Sequence, residues 1–140
     1  MKLEELQQPS PFGSLIGTKV VAFDDDRREI EVHYLAHDGF ANRIGTLAGA
    51  MIAGLLDSVT GLAGNWGLAD DVFAVHKSLT VDYERPGPLG RVIGKARVVE
   101  VDDRDVEVRG ELRDEAGTRF ASAAATLRIV RQSPAGGGSD

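Results

Sequence analysis

Alternating apolar and polar residues run through much of the chain and predict that most of it forms β-strands. Residues 18–23 and 28–34 follow this pattern, and the aspartates at 24–26 form the turn of a predicted hairpin. The alternation returns after residue 71 in four further segments. These predicted strands are 72–83, 92–98, 106–112 and 119–130. Only short turns separate the last three, so we expect them to form an antiparallel meander.

One segment between the strands, Thr46 to Ala63, has the periodicity of a long helix with Thr46 as its N-cap. Apolar residues at helical spacing form its predicted core face: Ile52, Leu55, Leu56, Val59 and Ala63. Small residues form a second face around Asp57, the only charged residue of the segment. A carboxylate is costly to bury without a partner, so Asp57 is the leading candidate for chemistry. The alternative is a structural role, in which Asp57 caps a neighbouring helix end or binds loop amides.

One apolar helix and one antiparallel sheet predict an α+β domain in which the curved sheet wraps around the helix. Alanines at 121, 123 and 125 favour this packing, because small residues on a sheet face let a helix approach closely. We expect a single domain over residues 1–131. It begins with a polar lead-in at 1–13 that contains one helical turn near Leu3–Leu6. Residues 132–140 are expected to be a flexible tail.

Composition and charge exclude several classes of site. The 140 residues include no cysteine, which excludes disulfides, thiolate zinc sites and a cysteine nucleophile, and which fits a reducing, cytoplasmic setting. A net charge of −6 spread along the chain argues against nucleic-acid binding. Three scattered histidines do not suggest a metal site, and the N-terminus does not resemble a signal peptide. Asp57 and several glycines make residues 46–69 too weakly hydrophobic for a membrane span.

Several short motifs carry a resemblance to a known family. Residues 42–50 read NRIGTLAGA, LLDS surrounds Asp57, and the strand at 72–83 continues into Tyr83-Glu84-Arg85-Pro86. Gly90, a D-x-x-G turn at 114–117 and an A-x-A-x-A run at 121–125 follow. From about Phe12 to Val130 this pattern resembles the phenylacetate-pathway (PaaI-like) acyl-CoA thioesterases. The resemblance implies the hotdog fold, a long central helix wrapped by a curved antiparallel sheet.

The resemblance also implies roles for three residues. Asp57 is the carboxylate that attacks the thioester or activates water, the Gly49 backbone N–H is the oxyanion donor, and Asn42 positions the water or the thioester. Family sites lie across a dimer interface, with the aspartate from one chain and the asparagine and glycine from the other. No metal or redox cofactor is implied, since coenzyme A is part of the substrate. The structural alternatives are a close helix contact for Gly49 and a loop turn for Asn42.

The chain departs from the family pattern at Ala48, where histidine is usual, and at Ala50, where a second glycine is usual. Ten residues before Pro86, where many members carry serine or threonine, the chain has His76 on the predicted polar face of its strand. Ala48 and His76 are therefore predicted substrate-binding positions. A solvated or structurally bonded imidazole is the alternative for His76. Arg85 is predicted to meet a coenzyme A phosphate, with a plain surface arginine as the alternative.

Helix geometry by itself requires a dimer if Gly49 and Asp57 act together. The two residues are ~12 Å apart along one helix, too far to act on the same carbonyl. Two antiparallel helices related by a twofold axis would bring each Asp57 near the Gly49 of the other chain. The predicted function is acyl-CoA hydrolysis by a homodimer or homotetramer. The alternatives are a non-catalytic acyl-CoA-binding or regulatory module and, more weakly, a hydroxyacyl-thioester dehydratase, for which Ala48 removes the expected histidine.

Overall fold

The elements follow the predicted order of two strands, one long helix and four strands. The computed structural model describes residues 3–132, so the predicted tail, except Gln132, lies outside the described residues. The helices are α1 (Leu3–Leu6), α2 (Pro11–Leu15) and α3 (Gly49–Asn65), with a 3-10 turn at Asp38–Phe40. The strands are β1 (Lys19–Asp24), β2 (Glu29–Ala36), β3 (Val72–Tyr83), β4 (Gly90–Val101), β5 (Asp105–Arg113) and β6 (Arg119–Arg131).

The six strands form one antiparallel sheet in the order β1-β2-β4-β5-β6-β3. β4, β5 and β6 are neighbours in both sequence and space, which confirms the predicted meander. β3 precedes them in the chain but pairs with β6, with Leu79 opposite Ala125 and Tyr83 opposite Ala121. β1 and β3 are therefore the two edges of an open sheet.

The helix α3 packs against one face of this sheet and contacts β2 to β6. All five residues of its predicted core face are buried, none more than 3% exposed. The alanines of β6 at 121, 123 and 125 are buried beneath the helix, as expected. At Gly110 a Cβ would lie 2.8 Å from Thr60 Cγ2, so the missing side chain on β5 lets the helix approach. A central helix wrapped by one antiparallel sheet is the predicted hotdog fold.

The predicted ends of α3 are wrong by two or three residues. The helix begins at Gly49 with Ala48 as its N-cap, because Thr46 belongs to the preceding loop, where its N–H donates to Asn42 Oδ1 at 3.1 Å. The helix ends at Asn65 rather than Ala63. The Asn65 amide donates to the Ala74 carbonyl and accepts from the Ala74 N–H, which ties the helix end to β3.

The predicted faces of β3 are also wrong at its first half. The register with β6 shifts between His76 and Ser78, and such a bulge exchanges the two faces of a strand. As a result Val75, which simple alternation along the strand would place on the same face as Leu79, is 49% exposed. His76, expected on the polar face, points towards α3.

The lead-in contains the predicted helical turn, α1, and a second turn, α2, that the sequence did not indicate. Ser10 caps α2 by accepting the Gly13 N–H at 3.0 Å.

Candidate active site

Asp57 lies in the middle of α3, beside the edge strand β3. Its side chain is 52% exposed in the protomer, so the burial expected from the sequence does not occur within one chain. One carboxylate oxygen, Oδ1, lies 3.2 Å from His76 Nδ1. This contact orients the carboxylate and leaves Oδ2 open to an incoming molecule.

His76 reaches Asp57 because two features bring β3 close to the helix. The bulge turns its imidazole inward, and Gly61 leaves room for the ring, since a Cβ there would lie 3.3 Å from His76 Cε1. The other ring nitrogen, Nε2, lies 2.8 Å from Thr60 Oγ1. The imidazole therefore bridges Thr60 and Asp57, three residues apart on one helix. Sequence reasoning missed Thr60, although a lone hydroxyl within the apolar stripe was a signal.

A groove of about 550 Å³ opens beside Asp57 and His76. Its walls are α1 and α2 on one side and α3 with the start of β3 on the other. Apolar side chains line much of it: Leu6, Pro9, Phe12, Leu62, Ala74 and Val75. The Phe12 ring packs on the backbone of α3 at Gly54, where a Cβ would lie 3.4 Å from Cζ. The groove can take an apolar group with its polar end at Asp57.

Tyr34 on β2 supports the helix behind Asp57. Its hydroxyl donates to Ser58 Oγ at 2.9 Å. Burial raises the pKa of Tyr34 far above its ordinary value, the Ser58 hydrogen bond lowers it in part, and the nearby Asp57 carboxylate raises it again. Tyr34 therefore stays protonated and acts as a fixed donor rather than as an acid or base.

The remaining candidate residues gather at the N-terminal end of α3. Gly49 is the first residue of the helix, and no described residue accepts a hydrogen bond from its N–H. The Tyr83 hydroxyl donates to the Gly49 carbonyl at 3.1 Å, which ties the end of β3 to this helix start. Ala48 is the N-cap and offers no side-chain acceptor. The first N–H groups of the helix thus point outward with the positive end of the helix dipole behind them.

Asn42 shapes the loop before the helix. Its Oδ1 accepts from the N–H groups of Ile44 and Thr46, both at 3.1 Å, and its Nδ2 donates to Thr46 Oγ1 at 2.8 Å. Asn42 therefore has the structural role of a loop-turn residue. One of its two Nδ2 protons takes no part in these bonds. Because Asn42 is exposed, that proton can reach a bound molecule.

Arg85 follows β3 and is exposed. No ion pair of Arg85 occurs within residues 3–132, because the neighbouring Glu84 pairs with Arg119 at 2.8 Å and also accepts from Ser122. The Arg119 hydrogen bond holds the pKa of Glu84 below its usual value. The Arg85 guanidinium is available to an anion from solution.

The six predicted site residues fall into two groups that do not meet in one protomer. Asp57 and His76 form the first, beside the groove; Asn42, Ala48, Gly49 and Arg85 form the second, at the helix start. Along α3, Gly49 and Asp57 are ~12 Å apart, which is the scale of the gap.

Other features of the described chain do not change the choice of site. A cavity of about 640 Å³ on the outer face of the sheet is lined by charged side chains such as Lys95, Arg97 and Arg109, but by none of the predicted site residues. Residues 3–132 contain no cluster of three His, Cys, Asp or Glu side chains fit to hold a metal. None of the helices in that range is long and apolar enough to cross a membrane.

The wrapped helix and the open six-stranded sheet define a hotdog-fold protein. The family model of the thioesterase superfamily matches residues 44–121, which include α3, β3 and β4, so the chain belongs to that superfamily and is an enzyme of the thioesterase class. The resemblance to phenylacetate-pathway thioesterases is confirmed. None of the curated proteins matches the sequence.

Solved structures agree with this assignment. A putative thioesterase of Ralstonia eutropha, a phenylacetic acid degradation-related protein, is 29% identical, with a TM-score of 0.84 over 89% of this chain and 96% of that one. The PaaI protein from the phenylacetic acid degradation operon of E. coli shares the fold at 17% identity, TM-score 0.78, over 89% and 87% of the two chains. A Bacillus halodurans protein solved with CoA does so at 23% identity, TM-score 0.76, over 91% and 80%.

Proposed function

We propose that this protein hydrolyses the thioester bond of an acyl- or aryl-CoA, with Asp57 as the base or nucleophile. The observation that carries the proposal is the Asp57 carboxylate, held on one oxygen by His76 and open on the other, beside an apolar groove. The CoA in the Bacillus halodurans structure and the phenylacetic acid degradation-related Ralstonia eutropha protein support this substrate class.

The reaction requires a nucleophile at the carbonyl carbon and donors for the developing oxyanion. Asp57 Oδ2 either takes a proton from a water that attacks the carbonyl, or attacks the carbonyl itself to form an anhydride that water then opens. In both routes the C–S bond breaks, and the acid and the coenzyme A thiol are the products. The acyl or aryl group lies in the groove lined by Phe12 and Leu62.

The oxyanion donor comes from a second copy of the chain. The Gly49 N–H is free but belongs to the group of residues that does not reach Asp57 in the same protomer. β3 is a sheet edge, and a twofold axis at its middle, between Leu79 and Thr80, would place His76 of one chain opposite Tyr83 of the other. Since Tyr83 touches Gly49, this pairing completes two sites per dimer. Asn42 and Arg85 would enter each site from the same side as Gly49.

A panel of aryl- and aliphatic acyl-CoAs assayed with the wild type and Asp57→Asn tests the function. We expect hydrolysis by the wild type and a loss of at least about 10²-fold in the variant, because an amide is neither a base nor a comparable nucleophile. Because Asp57 is exposed, we expect Asp57→Asn to fold normally, and circular dichroism checks this. Equal rates for the two proteins would remove Asp57 from the mechanism. A single turnover in oxygen-18 water then separates the two routes, since only attack by Asp57 places label in its carboxylate.

The contact between His76 and Asp57 favours one second candidate, dehydration of a 3-hydroxyacyl thioester, which uses a histidine with a carboxylate. Including 3-hydroxyacyl-CoAs in the panel distinguishes the two reactions, because dehydration forms an enoyl chromophore and releases no thiol. Binding of a non-hydrolysable acyl-CoA analogue without turnover of any thioester would instead indicate a binding module.

A further inference from the structure

Thr60 is a buried hydroxyl that the proposed chemistry does not yet use. It is 0% exposed and is the one polar side chain in the buried core of the described residues. Its Oγ1 lies 2.7 Å from the Leu56 carbonyl oxygen, 3.3 Å from the Asp57 carbonyl oxygen and 2.8 Å from His76 Nε2. Three possible hydrogen-bond partners therefore surround one hydroxyl group. Whether each partner can donate or only accept limits where the hydroxyl proton can lie.

A hydroxyl donates one proton and accepts through its lone pairs. The carbonyl oxygens of Leu56 and Asp57 can only accept, so the proton of Thr60 goes to the shorter of them, Leu56. This is the usual bond of a threonine to the carbonyl four residues earlier in a helix. In that arrangement the lone pairs of Oγ1 face His76 Nε2, and Nε2 carries the hydrogen of the contact. The neutral imidazole is then the Nε2–H tautomer, whereas a hydroxyl that donated to Nε2 would leave the ring hydrogen on Nδ1.

This tautomer also determines what the other ring nitrogen of His76, Nδ1, can bind. In the Nε2–H tautomer, Nδ1 is a lone pair, and it faces Asp57 Oδ1 at 3.2 Å. Two acceptors cannot bind each other, so the contact requires a proton on Nδ1 or on the carboxyl group. We propose that Thr60 is a positioning residue that holds His76 as an Nε2–H donor and so makes the His76–Asp57 contact conditional on one shared proton.

The groups around His76 are few. Asp57 from α3 and Glu5 from α1 line the same groove, and α2 adds no titratable side chain to it. Tyr34 on β2 is hydrogen-bonded to Ser58 and remains protonated. Next to His76 on β3, Lys77 pairs with Asp105 at 3.2 Å. On β6, Leu127 is the register partner of His76 and Arg128 is bound by Asp105. Among these groups, Asp57 contacts Nδ1, at 3.2 Å.

The consequence for activity rests on the proposed function. While the pair shares its proton, His76 orients Asp57 for attack or base catalysis. In the neutral Nε2–H form, Nδ1 is a lone pair that faces the Asp57 carboxylate, so the contact opens and Asp57 loses its orientation. Without the Thr60 hydroxyl, neutral His76 adopts the Nδ1–H tautomer, donates to Asp57 and keeps it in place.

Nitrogen-15 NMR of the histidine rings across a pH titration tests the proton arrangement without any substrate. We expect neutral His76 to show a protonated Nε2 and a lone pair on Nδ1 in the wild type. In Thr60→Val, which keeps the volume, the two nitrogens should exchange these states, and Thr60→Ser should restore the wild-type pattern. His37 is an internal reference, because its Nδ1 accepts the Gly39 N–H and fixes the Nε2–H form.

A wild-type His76 with its proton on Nδ1, or the same tautomer in Thr60→Val as in the wild type, would overturn the proposal. If Thr60→Val fails to fold, Thr60→Ala supplies the same comparison with less crowding. The spectra remain decisive if no thioester is hydrolysed, so failure of the proposed function and failure of this proposal are distinguishable.

Discussion

At the scale of single residues, the Gly49 N–H has no acceptor among the described residues. The packing inside the protomer does not require a glycine at this position. A Cβ at this position would lie 3.5 Å from Tyr83 Cε1, which is an ordinary contact. Gly49 is also the first helical residue, where proline is well tolerated. The preceding Ala48 has φ −60° and ψ 142°, the extended conformation that a following proline favours. The N–H can therefore be removed while the helix is kept.

We expect Gly49→Pro to lower kcat about 10²- to 10³-fold, the usual cost of one lost oxyanion donor. Steady-state kinetics on the best substrate of the panel measures this change. Gly49→Ala is the matched control, because it adds a side chain but keeps the N–H, and we expect it to fold normally. Full activity in Gly49→Pro would assign the oxyanion contact to another group. Strong loss in Gly49→Ala would show that close approach of a molecule, rather than the N–H, makes glycine necessary.

At the scale of elements, α3 begins without a side-chain cap. Ala48 occupies the N-cap position in the extended conformation, and its backbone carbonyl accepts the Met51 N–H at 2.9 Å, but it has no side-chain oxygen to cap the first turn. A side-chain cap would bond the N–H of the second or third helical residue and leave the Gly49 N–H open. The helix start can therefore be stabilised without removing the proposed oxyanion donor.

Replacing Ala48 by serine should raise the free energy of unfolding by about 1 kcal/mol through a new cap bond to the Ala50 or Met51 N–H. Urea denaturation measures this difference, and Ala48→Val, which lacks the oxygen, should show no such gain. If the N–H groups that the serine caps serve the substrate, Ala48→Ser should also raise KM or lower kcat. A stability equal to that of the wild type would show that the serine does not cap, and unchanged kinetics with higher stability would show that the site does not need the capped N–H groups.

At the scale of the whole molecule, the protomer carries two groups of proposed site residues, the two proposed half-sites, at different points along α3 and β3. The half-site with Asp57 and His76 has an orienting contact and a groove, and the half-site with Gly49 has free donors and the exposed Arg85. β3 is an open edge of the sheet and lies between the two half-sites. Val75 and Tyr83 are exposed along this edge. An exposed edge strand presents a row of unpaired backbone N–H and C=O groups that can pair with a strand of another chain. Pairing of two copies at this edge would bring the two half-sites together and would also cover the open edge strand.

Mixing two inactive variants tests whether the sites are shared between chains. In a heterodimer of Asp57→Asn and Gly49→Pro, one site receives both substitutions and the other receives neither. Random assortment after unfolding and refolding of an equal mixture should therefore restore about a quarter of the wild-type activity. A mixture of Asp57→Asn with Asp57→Ala should restore none. No recovery in the first mixture, together with a dimer by light scattering, would place each site within one chain.

Local periodicity in the sequence determined most of the secondary structure and, through it, the fold class. The strands at 72–83 and 119–130, the core face of α3 and the alanines that let the helix approach were all readable, because alternation and helical spacing are properties of neighbouring residues. The motif around Asp57 indicated the thioesterase superfamily for the same reason, since its residues lie close together in the chain.

Tertiary structure alone decided how those residues are used. The start of α3 depends on the bonds of Asn42 to the Thr46 loop, and the position of His76 depends on a bulge that exists only where β3 pairs with β6. The bridge from Thr60 through His76 to Asp57 joins helix and strand across Gly61, residues that no local pattern connects. Local spacing specifies which element forms, whereas contacts between distant segments decide which side chains meet, and Asp57 obtains its partner only through those contacts.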